Sequence, residues 1–263
     1  MKKPKIGIAL GAGGAKGLAH IGVLRVLEKY HVPIDFIAGS SMGSLVGATY
    51  ANGVSPDMLG KLAIELKSKY WMDVTIPKMG FVQGERTREL IQLLTHRKKI
   101  EELPIPLRIV ATDLTTGEAV IFAEGPVDVA VRASIAIPGV FVPVELDGRI
   151  LVDGGVVDRV PIGVVREMGA DFVIASDVTY FQKRESISSM VDVVVQTMDI
   201  LEKQLYETNP PTPDFLIRPQ VGQYSSLGFT EVEPIIAAGE RAAEESIEAL
   251  LEAIEQWQVT ECE

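Results

Sequence analysis

Short apolar runs alternate along this chain with longer segments in which apolar residues recur every three or four positions. An uninterrupted apolar run is typical of a strand buried on both faces, and the longer spacing is typical of an amphipathic helix. Strands are predicted at residues 5–10, 34–38, 107–112, 172–176 and 215–217. Helices are predicted at residues 18–30, 44–53, 56–69, 84–95, 127–135, 162–168, 190–205 and about 231–258. The alternation indicates an α/β fold around a mostly parallel sheet.

Two predicted hairpins interrupt this alternation. Each consists of two strand-like segments that flank a short turn sequence. They are residues 107–112 with 118–122 around Thr115-Thr116-Gly117, and residues 140–146 with 149–152 around Asp147-Gly148. Asp-Gly is a favoured two-residue connection between antiparallel strands. Because hairpin strands pair antiparallel, we expect a mixed sheet.

Composition and charge indicate one globular domain without a nucleic-acid partner. At 263 residues with 47% hydrophobic content, the chain can bury one large core, and we expect residues 1–263 to form a single domain. The net charge is −11, but residues 231–263 contain ten acidic residues and one basic residue, so residues 1–230 carry only −2. This nearly neutral body does not oppose contact with a lipid surface.

Three features favour a cytoplasmic location. Cys262 is the single cysteine, which excludes an intrachain disulfide. The lysines at positions 2, 3 and 5 precede too short an apolar run for a signal peptide. Charge, glycine or serine interrupts every apolar stretch well before the ~20 residues that a membrane-spanning helix needs. The sequence leaves the oligomeric state open.

One pentapeptide carries the strongest indication of chemistry. Gly39-Ser40-Ser41-Met42-Gly43 follows a predicted strand and precedes a predicted helix. In such a nucleophile elbow the central serine lies on a tight turn that exposes its Oγ, and Gly39 and Gly43 leave room for backbone and substrate. The pattern predicts Ser41 as a nucleophile. The alternative is a turn of small residues that lets strand and helix pack closely.

A glycine loop precedes the first predicted helix. Its sequence is Gly11-Ala12-Gly13-Gly14-Ala15-Lys16-Gly17, and its backbone N–H groups could bind an anion at the helix end. The glycine spacing fits neither a dinucleotide fingerprint nor a phosphate-binding P-loop. We therefore predict an oxyanion hole, in which the N–H groups of Gly13, Gly14 and Met42 stabilise the negative oxygen of a tetrahedral intermediate.

Histidine is poorly placed to serve as the base. The residue order of an α/β-hydrolase triad would require Ser41, Asp73 and His96, but His96 lies in a basic segment typical of a helix end. His20 and His31 are expected to be packing or turn residues. The triad stays open as the minor alternative.

Asp153 is the better candidate for the base. It follows the predicted strand at 149–152 and precedes Gly154-Gly155, which places a carboxylate at a strand end with open space beside it. In a Ser41–Asp153 dyad the carboxylate would take the serine proton during attack, return it to the leaving group and later activate water. The alternative is an Asp-Gly turn without chemistry. No metal-binding spacing is present, so we expect catalysis without a metal or cofactor.

Four blocks together resemble the patatin-like phospholipase family, and specifically its small bacterial members related to the catalytic domain of neuropathy target esterase. Nearly the whole chain takes part in the resemblance. The blocks are Gly11 to His20, Gly39 to Gly43, Arg132 to Gly139, and Asp153-Gly154-Gly155. One departure is Ala12, where many members have a third glycine. The alanine does not remove the N–H donors of Gly13 and Gly14.

The resemblance implies a three-layer α/β/α fold and a serine–aspartate dyad that hydrolyses acyl esters of lipids. Ser41 and Asp153 take the family's nucleophile and base positions, Gly13 and Gly14 its oxyanion glycines, and Lys16 its basic loop residue. The implied substrates are phospholipids or lysophospholipids, and no cofactor is implied. Small soluble acyl esters or thioesters are the alternative substrates, and a lipid-sensing adaptor with incidental hydrolysis is the alternative function.

Residues 67–81 could provide contact with a membrane. This segment mixes basic, aromatic and methionine side chains near a predicted loop, and it could form an interfacial lid. Through this lid the protein would contact the inner face of the membrane peripherally. The alternative is an ordinary loop that buries Trp71 and Phe81 in the core.

Overall fold

Strands and helices alternate through most of the computed structural model, which describes residues 3–66, 71, 73, 79–178, 187, 189–208 and 212–260. The strands are β1 Ile6–Leu10, β2 Phe36–Ser40, β3 Leu107–Asp113, β4 Ala119–Phe122, β5 Val144–Leu146, β6 Arg149–Asp153, β7 Phe172–Ser176 and β8 Phe215–Ile217. The helices are α1 Ala19–Lys29, α2 Met42–Ala51, α3 Pro56–Glu65, α4 Glu85–Leu94, α5 Val127–Ser134, α6 Ile162–Glu167, α7 Met190–Thr208 and α8 Val232–Thr260. Short 3-10 turns lie at Gly14–Leu18, Ile100–Glu102 and Gly154–Val156.

The described strands form one mixed sheet. Their order is β5-β6-β3-β2-β1-β7-β8, and β4 pairs with β3 outside this path. β1 pairs in parallel with β2 and β7, β2 with β3, and β7 with β8. β3 pairs antiparallel with β4 and β6, and β5 pairs antiparallel with β6. The predicted mixed sheet is confirmed, and both predicted hairpins supply antiparallel pairs.

Helices cover the two faces of the sheet unequally. Successive strand residues point to opposite faces, so Ile8 and Leu10 of β1 pack in a larger core with α1, α2 and α8, while Ala9 packs in a smaller core with α6. β7 repeats the pattern, because Ile174 lies in the larger core and Ala175 in the smaller one. The three layers implied by the resemblance are therefore present, with a thick and a thin helical layer.

The acidic helix α8 packs on its own domain, as the more conventional interpretation of its sequence predicts. A Cβ on Gly22 of α1 would meet the backbone of α8, so the two helices approach closely. Arg25 of α1 forms an ion pair with Glu240, and Lys29 forms one with Glu244. Bases of α1 therefore neutralise part of the acidic face.

One predicted strand, at 140–146, is largely wrong. Only its last three residues form a strand, β5. The carbonyl of Val140 instead accepts the N–H groups of Phe81 and Val82, both at 2.9 Å. Pro143 has no N–H to donate to a ladder, so the segment before it crosses to another loop. Most other predicted boundaries lie within two residues of the observed ones.

Candidate active site

The catalytic candidates meet where two strands end on one edge of β3. Val110 of β3 pairs with Ser40 of β2, and the next residue, Ala111, pairs with Asp153 of β6. β4 occupies the other edge of β3 at both positions. Since a strand residue has one neighbour on each edge, β2 and β6 run toward each other along the same edge. Their ends bring Ser41 and Asp153 together.

Ser41 has the backbone geometry of a nucleophile elbow. It lies between β2 and α2 with φ +53°, a conformation that costs a residue with a side chain about 1–3 kcal/mol. A Cβ on Gly39 would meet the carbonyl of Gly43, and a Cβ on Gly43 would meet the carbonyl of Leu10, so neither position tolerates a side chain. The buried hydroxyl of Ser134 accepts the Ser41 N–H at 2.9 Å and holds the turn in place.

Asp153 accepts hydrogen bonds on both carboxylate oxygens. The Ser41 hydroxyl donates to Oδ2 at 2.5 Å, and the Gly155 N–H donates to Oδ1 at 2.8 Å. The Thr112 hydroxyl donates to the Asp153 main-chain carbonyl at 2.8 Å. Asp153 is only 4% exposed, and desolvation raises its pKa to about 6, although the hydrogen bonds from Ser41 and Gly155 and the charge of Arg159 lower it. A carboxyl with this pKa can take and return a proton near neutral pH.

The glycine loop lies beside the serine. Gly13, Gly14, Ser41 and Asp153 line one small cavity. Among the hydrogen bonds of the described residues, none has the N–H of Gly13, Gly14 or Met42 as its donor. Met42 is the first residue of α2, where an N–H has no acceptor within the helix. These three groups are available to an oxyanion, and their role stays a prediction.

A buried histidine anchors this loop. His20 is fully buried, with Nδ1 2.8 Å from the Ser176 hydroxyl and Nε2 2.8 Å from the Gly11 carbonyl. Because a carbonyl only accepts, Nε2 carries the proton and Nδ1 accepts from Ser176. Burial lowers the pKa of His20 to about 4, so the ring is neutral at physiological pH. His20 is a packing residue, as expected, and it fixes the loop whose 3-10 turn contains Lys16 and Gly17.

The alternative triad is excluded by geometry. Asp73 accepts the N–H groups of Gly84 and Glu85 at 2.8 and 3.0 Å, and it therefore caps the start of α4. His96 lies beyond the other end of α4, where its Nδ1 is 3.1 Å from the side-chain nitrogen of Asn52. A helix of ten residues spans about 15 Å, so Asp73 cannot orient His96.

Ser41 lies at the junction of two cavities. The larger has a volume of about 280 Å³ and is lined mainly by apolar side chains of α2, α3 and α4. The smaller has a volume of about 50 Å³ and contains Asp153, Arg159 and Asp199 beside the glycine loop. Gly14 and Ser41 line both. A nucleophile at such a junction can hold an apolar chain on one side and a polar group on the other.

Two hydroxyls that hold Ser41 and Asp153 in place were not predicted from the sequence. Ser134 holds the backbone of Ser41, and Thr112 holds that of Asp153. Ser134 lies inside the block Arg132 to Gly139, which served only as a family signature, so a signal was present for it. Thr112 has no comparable signal, because its contact depends on the pairing of β3 with β6. Gly154 and Gly155 are buried at the start of the turn after β6.

The predicted lid is described only in part. Trp71 packs edge-on against Phe229 with ring centroids 4.8 Å apart, and it lines the larger cavity. Phe81 is 39% exposed and Met79 is 53% exposed. Residues 67–70, 72 and 74–78 lie outside the described residues, as does the end of the helix predicted at 56–69. A lid at residues 67–81 stays a prediction. Trp71 itself packs inside the protein, as the alternative of an ordinary loop predicts.

Comparison with known proteins decides the family. Residues 8–166 match the family described as patatin-like phospholipase. The chain belongs to the patatin-like phospholipase family. An NTE family protein of Mycobacterium tuberculosis is 42% identical over 174 residues, which cover 65% of this chain and 48% of that protein. Patatin-like phospholipase domain-containing protein 6 of Mus musculus is 36% identical over 181 residues, which cover 66% of this chain and 13% of that protein.

This patatin-like chain spans less than half the length of these curated relatives. The lysophospholipase NTE1 of Meyerozyma guilliermondii is 27% identical over 272 residues, which cover 91% of this chain and 19% of that protein. Among solved structures, VipD of Legionella pneumophila superposes with a TM-score of 0.67 at 14% identity, over 95% of this chain and 67% of that one. A chain of the ExoU–SpcU complex of Pseudomonas aeruginosa gives 0.53 at 18% identity, over 97% and 52%. The structural likeness shows the fold.

The described residues contain neither a candidate membrane-spanning helix nor a candidate metal-binding cluster. No helix in the described ranges combines the length and apolar character needed to cross a membrane. The same ranges contain no group of three or more His, Cys, Asp or Glu residues that could hold a metal ion.

Burial of Asp153 predicts a pH-dependent change in stability. Its pKa lies at about 6 in the fold and at 3.8 unperturbed, so the stability it contributes is present below about pH 4 and is lost as the pH rises through 6. The loss is at most roughly 3 kcal/mol. We expect Asp153→Asn to raise the free energy of unfolding at about pH 8 and to leave it nearly unchanged at about pH 4, measured in urea by circular dichroism.

Asp128→Asn is the matched control for this experiment. Asp128 is also 4% exposed, but it pairs with Arg88 at 2.7 Å, so its substitution should lower stability at about pH 8. An Asp153→Asn variant that loses stability at both pH values would contradict the assignment of a destabilising buried charge to Asp153.

Proposed function

We propose that this protein is a serine acyl hydrolase that cleaves acyl esters of phospholipids or lysophospholipids through Ser41 and Asp153. One observation carries the proposal: the Ser41 hydroxyl donates a 2.5 Å hydrogen bond to the Asp153 carboxylate at the junction of a large apolar cavity and a smaller cavity that contains charged side chains. A serine hydroxyl becomes a nucleophile when a base within hydrogen-bond reach takes its proton. Among the described hydrogen bonds, none joins Ser41 to a histidine.

The proposed reaction proceeds through an acyl-enzyme. Asp153 accepts the hydroxyl proton as Ser41 Oγ attacks the ester carbon, and the N–H groups of Gly13, Gly14 and Met42 stabilise the oxyanion. The tetrahedral intermediate collapses, the ester bond breaks, and Asp153 returns the proton to the leaving alcohol. Asp153 then takes a proton from water, which attacks the acyl carbon. The fatty acid leaves as Asp153 returns this proton to Ser41 Oγ.

The two cavities favour a lipid over a small ester. The larger cavity holds about 280 Å³, whereas one water needs about 10–15 Å³, so a long acyl chain has room there. Each buried methylene contributes about 0.8 kcal/mol, and a short acyl group would forgo that contribution. Arg159 lines the smaller cavity, and a guanidinium suits the phosphate of a phospholipid. The family description, phospholipase, and the name of the Meyerozyma relative, lysophospholipase, agree with this choice.

Two alternatives are weaker on the same observations. Small soluble acyl esters or thioesters would use the same dyad but leave the larger cavity unfilled. A lipid-sensing adaptor would need the cavity but no preformed contact between a hydroxyl and a carboxyl of raised pKa. A lipid substrate also implies peripheral contact with a membrane, and we expect this contact on the cytoplasmic side.

Serine variants test the nucleophile. Ser41→Ala should abolish labelling by a fluorophosphonate probe and lower ester turnover by at least about 10³-fold, because it removes the attacking oxygen. Asp153→Asn should slow turnover by about 10²–10⁴-fold, because it removes the base. Ser40→Ala is the matched control, since Ser40 is equally buried and its hydroxyl has no partner among the described residues. Undiminished labelling of Ser41→Ala would exclude Ser41 as the nucleophile.

The pKa of Asp153 predicts an acid limb in the pH–rate profile. Only the ionised carboxylate accepts the Ser41 proton, and its pKa is about 6. We expect kcat/KM to be constant above about pH 7 and to fall about tenfold per pH unit below about pH 5.5. Circular dichroism at each pH separates this limb from unfolding. A profile that stays flat down to about pH 4.5 would rule out Asp153 as the base.

A substitution in the larger cavity tests the substrate class. Ala63 of α3 lines this cavity, and Ala63→Phe should lower kcat/KM for a long-chain lysophospholipid by about tenfold or more while changing that for a butyrate ester by less than about twofold. Ile64→Phe is the control on the same helix, because Ile64 is 42% exposed. Equal losses on both substrates would favour small esters and contradict an acyl site in this cavity.

A further inference from the structure

Helix α7 exposes an unusual row of apolar side chains. A helix that packs on its own domain turns its apolar side inward, and α8 does so. On α7 five large apolar side chains are between 45% and 76% exposed. We call them the outer stripe of α7: Met190, Val193, Ile200, Leu201 and Leu205. The amphipathic pattern of this helix is present, but its apolar side faces outward.

The outer stripe is free of charge. At 100° per residue its members fall within a sector of about 140° around the helix axis. The charged residues of α7 whose side chains are described, Asp192, Asp199 and Lys203, fall on the opposite side. Thr197 and Gln204, which lie within the sector, are exposed and uncharged. The stripe therefore extends for about four helical turns from Met190 to Leu205, and none of the described side chains within its sector is ionic.

The opposite side of α7 borders the candidate active site. Val195, Met198 and Asp199 line the smaller cavity together with Ser41 and Asp153. A helix with its side chains is about 10–12 Å across. A surface that covers the outer stripe would therefore lie about one helix diameter from the dyad.

The size of the stripe argues against a second copy of the chain as its partner. A large aliphatic side chain carries roughly 60–120 Å² of apolar surface. At the exposures of 45–76%, the five side chains offer at most about 350 Å². A specific dimer buries about 800 Å² on each partner and relies on aromatic or arginine anchors, and the stripe contains neither. A lipid surface sets no such minimum area, because it adapts to a narrow row of side chains.

We infer that the outer stripe of α7 docks the protein on a lipid surface with uncharged or zwitterionic headgroups. The inference rests on the proposed lipid acyl hydrolase function, because docking beside the dyad serves an enzyme whose substrate resides in that surface. The choice of headgroup follows from charge: none of the five side chains of the stripe is charged, so the stripe offers no basic partner that would favour an anionic headgroup.

Vesicle flotation tests this docking with two matched variants of the full chain. The stripe variant carries Leu201→Gln and Leu205→Gln, at residues 59% and 62% exposed. The control variant carries Leu93→Gln and Leu114→Gln, at residues 70% and 56% exposed on α4 and after β3. Both pairs remove similar exposed apolar surface, so urea unfolding should be alike for the two variants.

The expected result distinguishes docking through the outer stripe from a general effect of exposed apolar surface. Wild type should float with phosphatidylcholine vesicles, the stripe variant should partition about tenfold less, and the control variant should behave as wild type. Adding phosphatidylserine as a minority lipid should not strengthen binding, because the stripe carries no basic side chain. Both variants should hydrolyse a small soluble ester at the wild-type rate, since neither pair touches the dyad or its cavities.

Three outcomes would overturn the inference. Flotation of the stripe variant at the wild-type level, or no flotation of wild type, would show that lipid does not use this surface. A wild-type dimer in light scattering that becomes monomeric in the stripe variant would assign the stripe to a second copy. Failure of the proposed function is distinguishable from these, because it would abolish ester turnover and Ser41 labelling while leaving the flotation pattern intact.

Discussion

Two strands of opposite direction pair with the same edge of the seven-residue strand β3, and the candidate site depends on this arrangement. The first four residues of β3 pair with β2 in parallel, and the last three pair with β6 antiparallel. The parallel strand β2 ends in the elbow that contains Ser41. The antiparallel strand β6 ends at Asp153, which lies next to Ser41. Because the register of β3 brings the two strand ends together, the Ser41 Oγ lies 2.5 Å from Asp153 Oδ2 with no third residue between them. A one-residue slip of β6 would turn the Asp153 side chain to the other face of the sheet.

Dehydration of this junction controls its charge. Ser41 is 3% exposed and Asp153 is 4% exposed. Burial raises the pKa of Asp153 to about 6 and lowers that of His20 to about 4, and both shifts favour the neutral form. Hydrogen bonds from Ser41 and Gly155 keep the Asp153 shift small enough for ionisation at pH 7. The Asp153 carboxyl is therefore mostly ionised at pH 7, and the neutral imidazole of His20 fixes the glycine loop.

The features that could be predicted from the sequence depend on short stretches of the chain, and the features that could not depend on pairing between distant segments. The elbow itself requires glycine at positions 39 and 43, so the position of Ser41 was predictable. An apolar run indicates a buried strand whatever its pairing partner is, so the parallel strands were predictable as well. The meeting of β2 with β6 depends on register between segments more than 100 residues apart, as the 112-residue separation of Ser41 from Asp153 illustrates. The contact of Ser134 with the elbow depends on the same packing. Periodicity on α7 predicted an amphipathic helix, but it cannot say which side faces the protein.

The unequal layers of the sheet connect the dyad to both cavities. Large strand residues such as Ile8 and Leu10 face the side that carries α2, and there α2, α3 and α4 enclose the apolar cavity next to Ser41. The smaller cavity lies toward α7, which directs Val195, Met198 and Asp199 toward it and its outer stripe outward. A helix with charge toward the protein and carbon toward the exterior is favoured where the exterior is itself apolar. The outward surface of α7 and the lining of the larger cavity are both apolar, so under the proposed function both would contact lipid, the helix at the protein surface and the cavity beside Ser41.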